Sequence, residues 1–311
     1  MSKQQNILIT GSTGFVGGNL KPYLQEEGFQ IIGITRKPTV EDELSYESLN
    51  IENWNKSFAM LHLAGKAHDV KNTAEDAAYF EVNTELTKKL FNQFLESTCE
   101  VFIYISSVKA VADTVEGILT EDEIPNAITA YGKSKLAAEQ YILAQKIPKD
   151  KSVFILRPCM IHGPGNKGNL NLLFAMANKG VPYPFGSFHN ERSFLSIDNL
   201  LFVIKELVVK RPTSGIFNVS DDEFISTKEV YKAMGEAIGS RLRILNVPKG
   251  LIALCGKLGD VIPIPINSEK IHKLTENYKV SNAKIKKALE ISNLPMSAKE
   301  GLYKTLESFK S

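Results

Sequence analysis

Short apolar runs alternate with longer stretches of helical periodicity along the first half of the chain. The runs predict buried strands at Ile7–Thr10, Ile31–Thr35, Met60–Ala64, Val101–Ser106 and Val153–Arg157. Between them, apolar residues recur three or four positions apart, as in helices that pack on a sheet. Such helices are predicted over Val16–Glu27, Phe80–Leu95 and Tyr131–Gln145. This alternation predicts an α/β fold built on a doubly wound parallel sheet.

Composition and charge exclude several classes of protein rather than selecting one. The 311 residues carry a net charge of +2, which predicts neither nucleic acid nor an anionic membrane as a general partner. Three widely spaced cysteines and five scattered histidines lack metal-binding spacing, so we expect no metal site. The N-terminus lacks a signal-peptide pattern, and charges interrupt the later apolar stretches. We therefore expect a cytoplasmic protein without membrane insertion.

A glycine-rich turn follows the first predicted strand and leads into the first helix. Gly11 permits a tight turn, Gly14 lets the backbone approach a pyrophosphate, and Gly17 allows close packing of helix and strand. The helix N-terminus adds free N–H groups and positive potential. The turn predicts a dinucleotide site, although an ordinary glycine-rich turn between strand and helix would show the same residues.

The end of the second predicted strand bears on the choice of cofactor. In NAD-specific sites an acidic residue at this point normally holds the adenosine ribose hydroxyls. Here Arg36 and Lys37 follow Thr35, and the guanidinium of Arg36 suits a 2′-phosphate. We therefore expect NADP(H) rather than NAD(H), the alternative being a solvated basic turn.

Tyr131 and Lys135 are one helical turn apart, so both side chains lie on one face of the predicted helix. A tyrosine needs a lowered pKa to exchange protons at neutral pH, and a nearby ammonium favours the phenolate. Ser106 and Ser107 end a predicted strand, where a hydroxyl can bind a substrate carbonyl. A lone Tyr-x-x-x-Lys pair is common on helix surfaces, but its order after the glycine turn and the serines predicts an active site.

Together these motifs resemble the extended short-chain dehydrogenase/reductase family, and the resemblance covers nearly the whole chain. His62-Leu63-Ala64-Gly65 is similar to the fourth-strand cofactor motif, and Arg157–Gly165 to the family's R-P-x-x-V-Y-G-P-G stretch. Arg192–Leu200 resembles the segment that places an arginine against a nucleotide diphosphate. The chain departs from the family in two places, since His162 replaces a tyrosine and Asn50 stands where an Asp beside adenine is common.

The resemblance implies a Rossmann-type dinucleotide-binding domain over residues 1–160, with a return segment of about 194–222. A smaller α/β lobe, residues 161–193 and 223–311, would bind the nucleotide sugar. Catalysis is assigned to Ser107, Tyr131 and Lys135, with Ser106 competing for the role of Ser107. The expected cofactor contacts are Gly11, Thr13, Gly14, Phe15, Val16, Gly17, Arg36, Leu63, Ala64, Gly65, Asn83, Tyr131, Lys135 and Pro158. The expected substrate contacts are Ser107, Lys109, Asn169 and Arg192.

Within the family, the sequence looks closest to bacterial reductases of UDP-linked 4-keto-6-deoxy-N-acetylhexosamines, which serve surface polysaccharide synthesis. This resemblance implies hydride transfer from NADPH to C4, with Tyr131 as proton donor, Ser107 at the carbonyl oxygen and Lys135 tuning the tyrosine. One alternative is a UDP-hexose or UDP-N-acetylhexosamine 4-epimerase with tightly bound NAD. Another is a non-catalytic dinucleotide-binding protein. A homodimer through Phe80–Leu95 and Tyr131–Gln145 is a further expectation.

Overall fold

The computed structural model describes residues 6–66, 76–166, 168–262 and 267–310. Its strands are β1 (Asn6–Thr10), β2 (Gln30–Thr35), β3 (Glu43–Ser45), β4 (Ser57–His62), β5 (Val101–Ile105), β6 (Ile118–Leu119), β7 (Ser152–Pro158), β8 (Met160–His162), β9 (Arg192–Ser196), β10 (Gly215–Val219), β11 (Phe224–Ile225) and β12 (Lys279–Val280). Its α-helices are α1 (Phe15–Glu26), α2 (Ile51–Asn55), α3 (Asp76–Phe80), α4 (Leu86–Glu96), α5 (Ala130–Leu143), α6 (Asn169–Asn178), α7 (Ile197–Lys210), α8 (Thr227–Ile238), α9 (Lys249–Val261), α10 (Ser268–Thr275), α11 (Ala283–Leu289) and α12 (Ala298–Glu307).

The largest sheet confirms the predicted Rossmann-type architecture. Its strands follow the order β10-β7-β5-β4-β1-β2-β3, and every neighbouring pair is parallel. The chain winds from β1 outward through β2 and β3, then returns to build the other half from β4. The strand order therefore reverses between β1 and β4, and ligands of doubly wound sheets bind beyond the strand ends at such a point.

Both faces of this sheet are buried, which explains why its strands read as unbroken apolar runs. Successive side chains of a strand point to opposite faces. Ile7 and Ile9 of β1 accordingly join the core that includes α1 and α7, whereas Leu8 joins the core that includes α4 and α5. The five predicted strands are all present, and their observed ends lie within a few residues of the predicted ones.

The helix predicted over Phe80–Leu95 is interrupted. α3 and α4 are joined by a single π-helical segment, Glu81–Glu85, which carries Asn83 and Thr84. Insertions of this kind widen the helix locally and recur at functional sites. Apolar periodicity could not reveal it, because Phe91 and Phe94 on α4 keep the spacing of an ordinary amphipathic helix.

A smaller lobe lies beyond β7. β9 pairs parallel with β8 and antiparallel with β11, and a separate apolar cluster of this lobe includes Phe174, Tyr231 and Met234. The segment after β9 returns to the large sheet, where α7 packs on one face and β10 extends the edge. The chain thus crosses between the two sheets at Pro158–Met160 and again at Ser196–Ile197.

Candidate active site

The glycine-rich turn has the tight geometry that a dinucleotide requires. Gly11 has a φ of +68°, and a Cβ atom there would lie 2.9 Å from the backbone nitrogen of Ala64. A Cβ atom on Gly17 would lie only 2.2 Å from the carbonyl oxygen of Gly11. Gly14 precedes α1 without a side-chain cap, so the first N–H groups of the helix remain available to a ligand.

A cavity of about 390 Å³ lies against the start of α1. Its walls include the predicted contacts Thr13, Gly14 and Phe15. Gly18, Asn19, Gly165 and Asn166 also line it and were not among the predicted contacts. Tight glycine packing, free helix N–H groups and this volume together fit the diphosphate of a dinucleotide. Gly165 ends the segment Arg157–Gly165 that resembles the family motif, and Asn166 follows it directly, so this motif was the available signal for them.

Arg36 and Lys37 are exposed directly after β2. Burial raises the pKa of the Tyr46 hydroxyl, and the charge of Arg36 partly opposes that rise. The guanidinium of Arg36 is therefore close enough to Tyr46 for its charge to act on that hydroxyl. Asn50, the departure near the expected adenine position, caps α2: its side chain accepts hydrogen bonds from the backbone nitrogens of Glu52 and Asn53.

A second cavity, of about 200 Å³, brings the predicted catalytic residues together. Its lining comprises Leu63, Gly65, Lys66, Ile105, Ser106, Ser107, Tyr131, Lys135, Pro158, Cys159 and Ile161. β4, β5 and β7 end at this cavity, and the first turns of α5 close its side. Thr129 fixes the start of α5, because its hydroxyl accepts a hydrogen bond from the backbone nitrogen of Gly132 at 3.2 Å.

Tyr131 is half-buried and Lys135 is buried, which the sequence did not reveal. Burial raises the pKa of Tyr131, and a hydrogen bond with Ser107 only partly opposes that rise. The pKa shift is therefore opposite to the expected lowering, because desolvation disfavours the phenolate. Lys135 donates to the backbone oxygen of Ile105 at 2.8 Å, and burial lowers its pKa to about 8 against the opposing charge of Glu139.

The two serines after β5 have different partners. Ser106 donates a short hydrogen bond to Glu139, and Glu139 in turn accepts from Arg157 Nη2 at 2.6 Å. All three side chains are buried, so the Ser106 hydroxyl belongs to an internal ion pair. Ser107 accepts a hydrogen bond from the backbone nitrogen of Lys109 at 3.2 Å and forms a hydrogen bond with Tyr131.

Asn83 joins the loop after β4 to the catalytic helix. Its Oδ1 accepts from the backbone nitrogen of Lys66 at 2.7 Å, and its Nδ2 donates to Ser134 Oγ at 2.9 Å. A Cβ atom on Gly65 would lie 2.9 Å from Lys135 Nζ and 3.1 Å from Asn83 Oδ1. Gly65 therefore lies close to both Asn83 and Lys135, which leaves no room for a side chain at this position.

A buried histidine extends this network to the glycine-rich turn. The Thr87 hydroxyl donates to the backbone oxygen of Asn83 at 2.7 Å, so Thr87 Oγ1 accepts from His62 Nε2 at 2.8 Å. His62 Nδ1 then accepts from the Thr10 hydroxyl at 2.7 Å. Burial, with a smaller contribution from the charge of Lys135, lowers the pKa of His62 to about 3. The neutral imidazole thus ties β1, β4 and α4 together.

The predicted substrate contacts lie further from the sheet. Arg192 donates a short hydrogen bond to the backbone oxygen of Lys273, and its Nη1 lies 3.6 Å from Glu276 Oε1. Lys109 Nζ donates to the backbone oxygen of Asp113 at 2.8 Å and lies 4.5 Å from the centre of the Tyr278 ring. Burial lowers the pKa of Lys109, and the charge of Glu276 opposes this. Glu276 thus interacts with both predicted cations.

Asn169 and His162 are the remaining positions that the sequence singled out. Asn169 begins α6, but its side chain lies outside the described part of the structure. His162 is buried in the smaller lobe, where its Nδ1 lies 2.8 Å from Thr305 Oγ1. The side chain that departs from the family motif is therefore a packing residue bonded to α12.

No group of three His, Cys, Asp or Glu side chains within the described ranges could hold a metal ion. In residues 6–66, 76–166, 168–262 and 267–310, no helix is both long enough and apolar enough to cross a membrane. The catalytic cavity offers the hydroxyls of Ser107 and Tyr131 and the buried ammonium of Lys135.

Comparisons with known proteins agree with this geometry. The model of the NAD dependent epimerase/dehydratase family matches residues 7–220. A UDP-glucose 4-epimerase of Vibrio cholerae is 32% identical, over 98% of this chain and 95% of that protein. A GDP-6-deoxy-D-mannose reductase of Pseudomonas aeruginosa is 25% identical, over 78% of this chain and 84% of that protein.

Among solved structures, MoeE5 in complex with UDP-glucuronic acid and NAD has a TM-score of 0.76 at 21% identity. The similarity covers 98% of this chain and 99% of that one, and it shows the shared fold. The family match includes the whole glycine-rich turn and all three predicted catalytic residues. The chain belongs to the NAD-dependent epimerase/dehydratase family, the extended short-chain dehydrogenases, and is an NAD(P)-dependent enzyme of the nucleotide-sugar epimerase and reductase type.

Proposed function

We propose that the protein reduces the 4-keto group of a UDP-linked 6-deoxy-N-acetylhexosamine with NADPH, as a step of surface polysaccharide synthesis. The observation that carries this proposal is the single cavity of about 200 Å³ bordered by Ser107, Tyr131 and Lys135. A carbonyl bound there meets a hydroxyl to hold its oxygen, a phenol to protonate it and an ammonium beside the phenol.

The protonation state of Tyr131 favours the reductive direction. Because burial raises the tyrosine pKa, the phenol carries its proton at neutral pH, and a reduction requires a protonated donor. In the proposed step, Ser107 donates a hydrogen bond to the C4 oxygen and Tyr131 transfers its proton to that oxygen. Lys135 then stabilises the phenolate that forms. NADPH, when bound, supplies the hydride that C4 receives.

The residues of the crevice suggest how this cofactor is held. The turn from Gly11 to Gly17 and the start of α1 would bind the diphosphate, and Leu63, Ala64 and Gly65 would border the nicotinamide half. Arg36 would pair with the 2′-phosphate at the end of β2. Asn83 holds the loop that contains Gly65, and Pro158 forms part of the opposite wall of the catalytic cavity.

We assign the nucleotide diphosphate of the substrate to the cations between the two sheets. Arg192 pairs with Glu276, and Lys109 Nζ lies 3.8 Å from Asp113 Oδ1 with the charge of Glu276 acting on it as well, so an anionic ligand would compete with these carboxylates for both cations. Binding of a diphosphate would draw Arg192 away from Glu276, an exchange of one anion for another. Asn169, at the start of α6, is the further proposed contact.

A second candidate function is 4-epimerisation of a UDP-hexose or UDP-N-acetylhexosamine. The relative from Vibrio cholerae that is 32% identical is a UDP-glucose 4-epimerase, and this similarity favours the second candidate. An epimerase would use Tyr131 first as a base and keep its cofactor through the cycle. The basic turn at Arg36 favours the reductase. The guanidinium of Arg36 suits the 2′-phosphate of NADPH, and a reductase binds fresh NADPH in every turnover.

The assay that tests the proposal follows the near-ultraviolet absorbance of NADPH after addition of a UDP-4-keto-6-deoxy-N-acetylhexosamine freshly made by a dehydratase. We expect rapid oxidation of NADPH, slower oxidation of NADH, and loss of both in Tyr131→Phe. Tyr141→Phe is the matched control, because Tyr141 lies on the same helix and its hydroxyl bonds to Asn92 outside the cavity. Interconversion of UDP-N-acetylglucosamine and UDP-N-acetylgalactosamine without NADPH oxidation would favour the epimerase.

We also propose that the protein forms a homodimer and that it is cytoplasmic. α4 and α5, which correspond to two of the predicted helices, are our candidates for a homodimer interface. A cytoplasmic location would give the enzyme access to nucleotide-linked sugars and reduced cofactor.

A further inference from the structure

α9 in the smaller lobe presents a row of apolar side chains to solvent. Leu251, Leu254, Leu258 and Val261 are 51%, 54%, 49% and 85% exposed. Ile262, the next residue, is 52% exposed. Contiguous exposed apolar surface of this kind marks an interaction site more often than scattered single residues do. We call these five side chains the α9 stripe.

The α9 stripe is not the face that packs the helix onto its own lobe. Ile252 and Gly256 form that face, and a Cβ atom on Gly256 would lie 2.8 Å from Cδ1 of Ile271 in α10. Leu251, Leu254, Leu258 and Val261 of the stripe are spaced three, four and three positions apart, so they share a second face of the helix. α9 therefore has two apolar faces, of which the described residues cover one.

The part of the sequence that contains the stripe carries an excess of cations. Between Arg241 and Lys273 the sequence contains six Lys or Arg residues against two Asp or Glu, although the whole chain is nearly neutral. Lys257 is exposed on α9, three positions after Leu254 and four before Val261, and Lys270 is exposed on the adjoining α10. Lys249 is also exposed, but its spacing places it on the face of Ile252 and Gly256, and its Nζ lies 5.4 Å from the centre of the Phe188 ring. An apolar helix face with lysines beside it is the pattern of helices that lie in the interface of a membrane.

We propose that α9 docks on the surface of an anionic lipid bilayer, with the α9 stripe in the boundary between headgroups and acyl chains. Lys257 would then lie at the level of the anionic headgroups, where a basic residue adds attraction. The helix would lie parallel to the bilayer plane, since its 13 residues are about 20 Å long and its opposite face packs on the lobe. Docking of this kind needs no helix that crosses the membrane.

A second copy of the chain fits this surface less well. Stable protein interfaces bury at least about 1,200 Å² in total, and one exposed stripe on a 13-residue helix is too small to supply this alone. A two-fold pairing of α9 would also bring the two basic regions together, and like charges oppose association. The excess of cations complements an anionic surface instead.

The test is flotation of the full chain with vesicles of phosphatidylcholine containing about one quarter phosphatidylglycerol, beside vesicles of phosphatidylcholine alone. We compare the natural chain with the double variant Leu254→Glu and Leu258→Glu. Val40→Glu with Val209→Glu is the matched control, because these positions are 54% and 58% exposed on the other domain and lie outside α4 and α5. A third variant, Lys257→Glu, tests the charge.

We expect the natural chain and the control to float with the anionic vesicles and to bind phosphatidylcholine alone about tenfold less. The α9 stripe variant and the lysine variant should each lose about tenfold or more in binding, with unchanged melting temperature and NADPH oxidation. Absence of binding by the natural chain, or equal binding by the stripe variant, would overturn the proposal. A dimer in sedimentation velocity that the stripe variant dissociates, with no vesicle binding, would instead assign the surface to a second copy.

Discussion

Lys135 Nζ donates a hydrogen bond to the backbone oxygen of Ile105 at 2.8 Å, where β5 ends at the catalytic cavity. Burial lowers the pKa of this ammonium to about 8, and the charge of Glu139 keeps it from falling further. Lys135 is therefore charged at neutral pH and becomes neutral as the pH rises through about 8. The phenolate left by Tyr131 loses its stabilising charge in the same range.

We accordingly predict that kcat/KM for the 4-keto substrate falls as the pH rises above about 8. The measurement is a pH profile of kcat/KM, which reports the ionisations of the free enzyme. Lys135→Met should lower the rate by about 10²-fold or more and should remove this alkaline limb. An unchanged limb in the residual activity of Lys135→Met would assign the ionisation to another group.

The neighbouring serines should respond differently to replacement by alanine. Ser107→Ala removes the hydroxyl that bonds to Tyr131, and we predict a fall in kcat of about 10² to 10³-fold with little change in stability. Ser106→Ala removes a hydrogen bond to the buried Glu139, and we predict a loss of about 1.5–3 kcal/mol in the free energy of unfolding.

Urea unfolding and steady-state kinetics on both serine variants check this contrast. The kcat of Ser106→Ala should stay within about tenfold of the natural value, since its hydroxyl is committed to the ion pair. The reverse pattern, with activity lost in Ser106→Ala and kept in Ser107→Ala, would exchange their roles.

Arg36 should determine the preference for NADPH. Its guanidinium is exposed after β2, where it can pair with a 2′-phosphate that NADH lacks. We predict that Arg36→Ala raises KM for NADPH about tenfold, that is by about 1.4 kcal/mol, and leaves KM for NADH nearly unchanged. Arg241→Ala, at an exposed position of the smaller lobe, is the control. An equal effect on both cofactors would show that Arg36 does not read the phosphate.

His62 should make the protein sensitive to acid. Its folded-state pKa of about 3 is below the ordinary value of 6.5, so the unfolded chain binds the proton more readily between these values. Stability contributed by the neutral imidazole is therefore present near neutral pH and is lost as the pH falls below about 6.5. We predict a loss of about 2 kcal/mol from this group between about pH 7 and about pH 5.

The measurement is urea unfolding of the natural chain and of His62→Gln at those two pH values. Glutamine can keep one hydrogen bond of the network but does not titrate, so its stability should change less with pH. An equal change in both proteins would mean that other groups cause the acid sensitivity.

The sequence predicts those features that depend on local pattern. Apolar runs located the strands of the large sheet, and the glycine spacing located the turn between β1 and α1. Both features depend on residues that are only a few positions apart in the sequence. The spacing of Tyr131 and Lys135 placed both on one helix face for the same reason.

Features that depend on distant pairs were not accessible in this way. The contact of Arg192 with Glu276 joins residues that are far apart in the chain, and the pKa of Tyr131 depends on burial by several elements. The π-helical segment around Asn83 is hidden because the apolar spacing of α4 continues beyond it. The exposure of α9 also depends on packing, since its sequence would equally suit a buried helix.

The central claim is transfer of a hydride from NADPH to C4 of a UDP-linked 4-keto-6-deoxy sugar. It is tested most directly with NADPH deuterated at either face of nicotinamide C4 and mass spectrometry of the nucleotide-sugar product. The proposed function predicts one deuterium per product molecule with one of the two labelled cofactors, and none in Tyr131→Phe. A product that carries no deuterium with either labelled cofactor, formed while the NADPH concentration stays constant, would contradict it.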